Sequence, residues 1–221
     1  MPLIEYVEDR MESEELLERL CPPVRNWFKD KFPDFTEPQK VAIPRILNGE
    51  HLLLCSPTGS GKTLTAFLTI IDDLVRRSLD GSLPDAVQCV YISPIKALAN
   101  DIEKNLMGPL GEIKERYLPS RAKEIKVGLR TGDTPQSERE KMLRKPPHIL
   151  ITTPESLGLG LASKRFRPIL DQMKWFIIDE MHSLVPTKRG THLSLSMALM
   201  DSVVSSDVQR IGISATMEPL D

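Results

Sequence analysis

The stretch from His51 to Thr63, HLLLCSPTGSGKT, carries the groups best suited to chemistry. An apolar run breaks into Ser56-Pro57-Thr58-Gly59-Ser60-Gly61-Lys62-Thr63, and an amphipathic pattern begins at once with Leu64, Phe67, Leu68, Ile71 and Leu74. The pattern reads strand, loop, helix. Glycines 59 and 61 permit backbone angles that turn consecutive N–H groups toward one point, where the positive end of the following helix is also aimed. An anion belongs there. Lys62 would reach the outer phosphates of a nucleotide as a point charge, and Thr63 would offer its hydroxyl to Mg²⁺. Ser56 stands where the strict phosphate-loop pattern has glycine. The plain alternative is a glycine-rich turn with no ligand.

A second group closes the run KWFIIDEMH, residues 174–182, in which an apolar strand ends in Asp179-Glu180. Burying two unpaired carboxylates would cost several kcal/mol, so they want a cation. With a phosphate loop elsewhere, Asp179 is expected to hold Mg²⁺ on the β and γ phosphates and Glu180 to orient or deprotonate the attacking water. A solvent-facing acidic loop is the alternative. His182 shows no metal-site spacing, and a lone histidine is more often structural than catalytic. Gln39 starts a helix upstream of the loop, and its donor and acceptor could pair with the Hoogsteen edge of adenine. Ser214, Ala215 and Thr216 end the last apolar run, where the hydroxyls of Ser214 and Thr216 could relay hydrogen bonds from the metal site.

These groups need elements to position them. Ser13 is expected to cap a short helix carrying Leu16, Leu17 and Leu20, stopped by Pro22-Pro23. The aromatics Trp27, Phe28 and Phe32 either pack onto the domain or dock another segment. Val41, Ile43, Ile46 and Leu47 follow at helical spacing, closed by Asn48-Gly49. Apolar runs at 87–93, 125–129, 148–152 and 208–213 read as strands. Between them lie helical patterns: one opening at Pro94 and interrupted at Gly108-Pro109, one over 136–144 capped by Asp133 or Thr134, one starting at Thr153-Pro154-Glu155, and one over 193–204. Such alternation predicts an α/β fold with a mostly parallel sheet and helices on both faces. Ligands of such sheets collect at the carboxyl ends of the strands.

The 221 residues suit one large domain. No apolar run reaches 18 residues and the first 20 are acidic, so neither a membrane span nor a signal peptide is expected and the location reads as cytoplasmic. Cys21, Cys55 and Cys89 are scattered, the last two in apolar runs, and read as reduced core residues. The net charge of −2 excludes a simple polyanion-coating protein. Seven acids among the first 20 residues hide a mild +3 over residues 21–221, so a nucleic-acid site would be a local surface.

FTEPQ, PTGSGKT, PIKALA, RTGDT, TTPES, DEMH and SAT occur in the order and spacing of the first motor domain of superfamily two DExD/H-box helicases. The chain resembles most the large helicase-related (Lhr) branch, through the RG-T-H-L that follows the acidic box and the SAT-x-x-P-L near the end. The resemblance covers residues 24–221, leaving 1–23 as an arm and short helix. It implies a RecA-like P-loop NTPase domain using ATP and Mg²⁺. It makes Gln39 the adenine reader, assigns Pro57, Thr58, Gly59, Ser60, Gly61, Lys62 and Thr63 to the nucleotide, and makes Asp179, Glu180 and His182 the DExH box. Pro94, Lys96, Arg130, Thr131, Gly132, Thr153, Pro154 and Glu155 are placed along a single strand's sugar-phosphate backbone. Ser214, Ala215 and Thr216 match the motif that couples hydrolysis to strand separation. The adenine-stacking aromatic of relatives has no clean match, with Trp27 and Phe28 as candidates. Met181 is an unusual filler of the box.

The expected function is that of the ATP-binding domain of an ATP-dependent helicase or translocase acting on single-stranded nucleic acid, DNA before RNA. A second RecA-like domain of the same parent would supply the arginine finger, leaving this chain alone nearly inactive. The alternatives are an ATP-binding switch and a local duplex remodeller that does not translocate.

Overall fold

The computed structural model describes residues 5–93 and 102–215, apart from the side chains of 103 and 104. Six parallel strands form one sheet: β1 (Leu52–Cys55), β2 (Cys89–Ile92), β3 (Val127–Arg130), β4 (Ile149–Thr152), β5 (Trp175–Ile178) and β6 (Gln209–Ser214). Their spatial order is β1-β6-β5-β2-β4-β3. Every strand points the same way, so every carboxyl end lies on one edge.

Side chains alternate across the sheet with the strand period of two. Tyr91, Ile151, Ile177, Ile211 and Ile213 join one apolar cluster, and Val90, Ile92, Leu150, Phe176 and Ile178 join the other. The first face is covered by α1 (Ser13–Arg19), α2 (Pro22–Lys31), α3 (Glu37–Leu47), α4 (Lys62–Asp80) and α5 (Gly108–Tyr117). The second carries α7 (Pro154–Leu161), the single turn α8 (Met181–Leu184) and α9 (Lys188–Asp201). The exposed α6 (Gln136–Arg144) follows β3. This is the expected α/β architecture, with a core on each face of the sheet. Among the described residues no helix is long and apolar enough to cross a membrane.

Local chemistry explains the elements that carry the site. Helix α4 is bounded by two left-handed glycines, Gly61 (φ 85°) and Gly81 (φ 81°), and between them buries Leu64, Phe67, Leu68, Ile71 and Leu74. Helix α3 contains Pro44, which has no N–H for the Lys40 carbonyl. The Met11 N–H takes that carbonyl instead at 3.0 Å, pinning the N-terminal arm to α3. Leu16 and Leu20 enter the first core.

Several local expectations are corrected. Ser13 is the first residue of α1, behind an N-cap at Glu12, and its hydroxyl donates to the Asp34 carboxylate. Helix α6 has Pro135 at its N-cap, while the Thr134 hydroxyl donates to the Leu129 carbonyl at 3.2 Å. Gly108-Pro109 does not interrupt a helix. A π-helical turn over Glu103–Met107 runs into α5, and Pro109 sits in that helix's first turn. A π turn relaxes the i→i−4 ladder that proline cannot join. Cys55 is exposed, because β1 is an edge strand. The helix expected over 193–204 runs over Lys188–Asp201 instead, with the Thr187 side chain capping its basic first turn.

Candidate active site

The phosphate loop leaves β1 and enters α4. Gly59 (φ 83°) and Gly61 hold left-handed angles, as the loop's turn requires. Ser56, in the position usually glycine, donates from Oγ to Ser60 Oγ at 2.6 Å, a bond across the loop that glycine could not make. Lys62 is buried, with its ammonium donating to the carbonyls of Ser56 and, at 2.7 Å, of Pro57. The lysine therefore rests on the loop's own acceptors.

Gln39 is buried too. Its Oε1 accepts from the Thr36 N–H at 2.9 Å, closing the start of α3, and an ideal Cβ on Gly61 would lie 3.0 Å from its Nε2. The Thr36 hydroxyl donates to the Ser60 carbonyl at 3.0 Å. The FTEPQ segment is thus built onto the phosphate loop.

At the end of β5, Asp179 is buried, accepts from the Tyr91 hydroxyl, and accepts at Oδ1 from the Glu180 N–H at 2.9 Å. Glu180 has φ 50°, the one non-glycine positive φ among the described residues. Such strain collects at functional sites and costs about 1–3 kcal/mol. His182 bridges outward, with Nε2 3.2 Å from Glu180 Oε2 and Nδ1 3.1 Å from Ser214 Oγ. As the Nε2–H tautomer it donates to the carboxylate and accepts from the hydroxyl. The Ser214 carbonyl accepts from the Ser56 N–H at 3.3 Å, tying the end of β6 to the phosphate loop. Thr58, Gly59, Gly61, Lys62, Thr63, Asp179 and Glu180 line one cleft of about 590 Å³.

The other predicted loops gather at the far half of the same sheet edge. Arg130 and Thr152 are register partners, and the Thr152 hydroxyl donates to the Arg130 carbonyl at 2.7 Å. The Arg130 guanidinium lies over the Phe166 ring at 4.7 Å, with its Nε buried and without a hydrogen-bond partner among the described residues. Burial and nearby Arg139 depress its pKa. Thr153 caps α7 by accepting from the Ser156 N–H, Pro154 opens that helix, and Glu155 forms a two-point ion pair with Arg189, 2.5 Å and 3.2 Å. The Arg189 contact pulls the Glu155 carboxyl down to about 2. Arg139 of α6 donates to the carbonyls of Thr131, Gly132 and Thr134 at 2.8–3.1 Å, clamping the RTGDT turn. Pro94, Lys96 and Thr216 lie outside the described residues, and Ala215 follows directly on β6.

Residues 36–221 match the DEAD/DEAH box helicase family. The chain belongs to that family. Over 222 residues this helicase domain is 47% identical to the ATP-dependent helicase Lhr-Core of Methanocaldococcus jannaschii, an alignment spanning 100% of the chain and 26% of the relative. It matches helicase Lhr of Mycobacterium smegmatis, solved bound to ssDNA and AMP-PNP, with a TM-score of 0.81 at 44% identity over 92% of this chain and 26% of that one. A DEAD-box helicase bound to ssRNA and UDP-BeF gives a TM-score of 0.79 at 22% identity, over 97% of this chain and 43% of the other, which shows a shared fold. The expected RecA-like fold and likeness to the Lhr branch are borne out. The helicase domain spans about a quarter of the length of the curated relatives it matches.

Of the two aromatic candidates, Phe28 is buried and stacked on Phe35 (centroids 4.0 Å apart, 15° between planes). Trp27 lines the cleft with its Nε1 donating to Glu112 at 2.7 Å, and the more exposed Phe32 lines it as well. Neither Glu112, Arg139 nor Arg189 was legible as part of the site. Glu112 and Arg139 lie in charged helices whose pattern looks like an ordinary solvated face, Arg189 lies in the basic first turn of an apolar helix, and only the fold brings each to its loop.

Proposed function

We propose that this helicase domain binds MgATP in the cleft between the phosphate loop and the acidic box, holds single-stranded nucleic acid along the ends of β3 and β4, and couples hydrolysis to strand unwinding through Ser214, Ala215 and Thr216. The observation that carries the reading is the convergence of Lys62, Thr63, Asp179 and Glu180 on one cleft. Main-chain N–H groups of residues 58–63 suit the phosphates, with Lys62 exchanging loop carbonyls for phosphate oxygens. Gln39, packed against Gly61, is the adenine reader.

Thr63 and Asp179 offer oxygen donors of the kind Mg²⁺ takes, and would hold it in that cleft. The ion would supply charge neutralisation on the β and γ phosphates. Glu180 orients the attacking water and accepts its proton, and His182 holds Glu180 against β6. On the other half of the edge, Arg130 has a buried guanidinium nitrogen that a phosphate oxygen would satisfy. We assign Thr131, Gly132, Thr153 and Pro154 to the same track, and Pro94 and Lys96 to it from the family resemblance alone. Glu155, spent on Arg189, orders the track and does not touch phosphate.

An arginine finger from across the cleft is worth about 10³–10⁵ in rate in NTPases that use one. We assign it to a second RecA-like domain of the same parent, consistent with relatives about four times as long. DNA is the favoured strand, since the Mycobacterium smegmatis relative was solved with ssDNA.

The test is ATP turnover by this chain alone and by the chain joined to its second motor domain, each with single-stranded DNA, single-stranded RNA and duplex. Near-zero turnover by the chain alone and strong stimulation of the longer protein by single-stranded DNA, abolished by Lys62→Ala, are expected. Brisk turnover by the chain alone, itself abolished by Lys62→Ala, overturns the half-motor assignment. No stimulation by any strand favours an ATP-binding switch.

A further inference from the structure

Met181 is the one residue of the acidic box with no chemistry assigned to it. Its side chain packs over β6 at Gly212, where an ideal Cβ would lie 2.3 Å from the Met181 sulfur and 2.9 Å from Leu53 Cδ1. Both distances are shorter than real Cβ contacts allow. Gly212 sits within a regular strand, paired with Leu53 on one side and Ile178 on the other. The backbone angle is ordinary, and a Cβ there would require the ends of the Met181 and Leu53 side chains to shift. Two residues on, Ser214 projects from the same face of β6, because side chains on a strand repeat every second residue. Ser214 is the residue that meets His182.

The turn α8 is therefore attached to one face of one strand at two points by consecutive residues: Met181 in the notch at Gly212, and His182 on Ser214. Both attachments lie directly after Glu180, whose φ of 50° is strained and needs its surroundings to hold it. Methionine suits this place, since its unbranched thioether fills an irregular gap. We propose that Met181 is a positioning residue for hydrolysis. Seated in the Gly212 notch, it sets the height of the acidic turn above β6, so that Glu180 and His182 stay in register with Ser214. The consequence for catalysis rests on the ATPase reading above, whereas the two-point attachment does not.

Two measurements test this. In the chain joined to its second motor domain, with single-stranded DNA, Gly212→Ala and Met181→Ala each lower kcat by about 10–10²-fold, the scale of a small misplacement of catalytic groups. The KM for ATP stays near wild type, because the phosphate loop is untouched. The double variant removes the clash, so it turns over faster than Gly212→Ala alone. Losses that simply multiply, or a Met181→Ala protein with unchanged kcat, overturn the proposal.

In the 221-residue chain itself, without nucleotide, the ring ¹⁵N signals of His182 report its contact with Ser214. They shift in both single variants and move back in the double. Unchanged signals in Met181→Ala overturn the proposal whether or not Gly212→Ala folds. Shifted signals together with no ATP turnover by the chain joined to its second motor domain overturn the motor reading and leave the attachment standing.

Discussion

His182 Nδ1 lies 3.1 Å from Ser214 Oγ, and the carbonyl of that same serine accepts from the Ser56 N–H at 3.3 Å. One residue at the end of β6 therefore touches both the acidic box and the phosphate loop. A change of occupancy at the phosphates has a short path of hydrogen bonds to the strand end from which the chain continues to Ala215 and beyond.

Gly61 and Gly59 make a matched pair for testing the loop. Both have left-handed angles, which cost an alanine about 1–2 kcal/mol. Only at Gly61 does a Cβ also meet a neighbour, Gln39 Nε2 at 3.0 Å, with nothing within 4 Å at Gly59. Thermal unfolding should show Gly61→Ala as the less stable variant. Equal melting temperatures would remove the packing of Gln39 from the account.

Arg130→Gln tests the backbone track. If Arg130 neutralises one phosphate, single-strand affinity falls and the slope of log K against log salt shrinks by about 0.7. Fluorescence anisotropy with a labelled oligonucleotide at several salt concentrations reads both. Weaker binding with an unchanged slope would assign Arg130 to packing on Phe166.

Glu155 sets a pH dependence. Its folded pKa of about 2 lies below the ordinary carboxylate value of 4.5, so its contribution is full above that ordinary value and fades as pH falls toward 2. Both partners are about half exposed, so the effect is under ~1 kcal/mol. Urea unfolding at pH 7 should find Glu155→Gln slightly less stable than wild type, with the gap narrowing by pH 3 and closing only near pH 2. A gap that widens on acidification contradicts the assignment.

The thiols should separate cleanly. Burial pushes Cys21 up to about 12 and raises Cys89 further, while Cys55 is raised less and exposed at the end of β1. Ellman's reagent on the folded protein at pH 8 should count one reactive thiol, with the other two appearing on unfolding. Labelling of Cys21 or Cys89 in the native state would show that its core opens.

Short-range features were largely legible. The phosphate loop's glycines, the amphipathic face of α4 and the apolar runs before each motif depend on neighbours a few residues away, and the structure has them where the pattern put them. Expectations failed where another partner or turn intervened. Ser13 turned to the distant Asp34, Thr134 to the nearby Leu129, and Pro109 was accommodated by the π turn just before it. Propensity favours a cap or a break, but a specific partner outweighs about 1 kcal/mol of that preference.

By itself the sequence determined where the glycine loop, the carboxylate pair and the hydroxyl-bearing turns lie and that all but the FTEPQ segment follow a strand, because glycine angles, helix ends and apolar runs are local properties. The order of the strands came from tertiary structure alone. Six short apolar runs of similar composition do not name their neighbours, and pairing depends on how both faces fill with side chains from distant helices. Packing chose β1-β6-β5 for one half of the edge and β2-β4-β3 for the other. That choice sets Ser214 between Ser56 and His182, and separates the phosphate-loop cleft from the loops that follow β3 and β4.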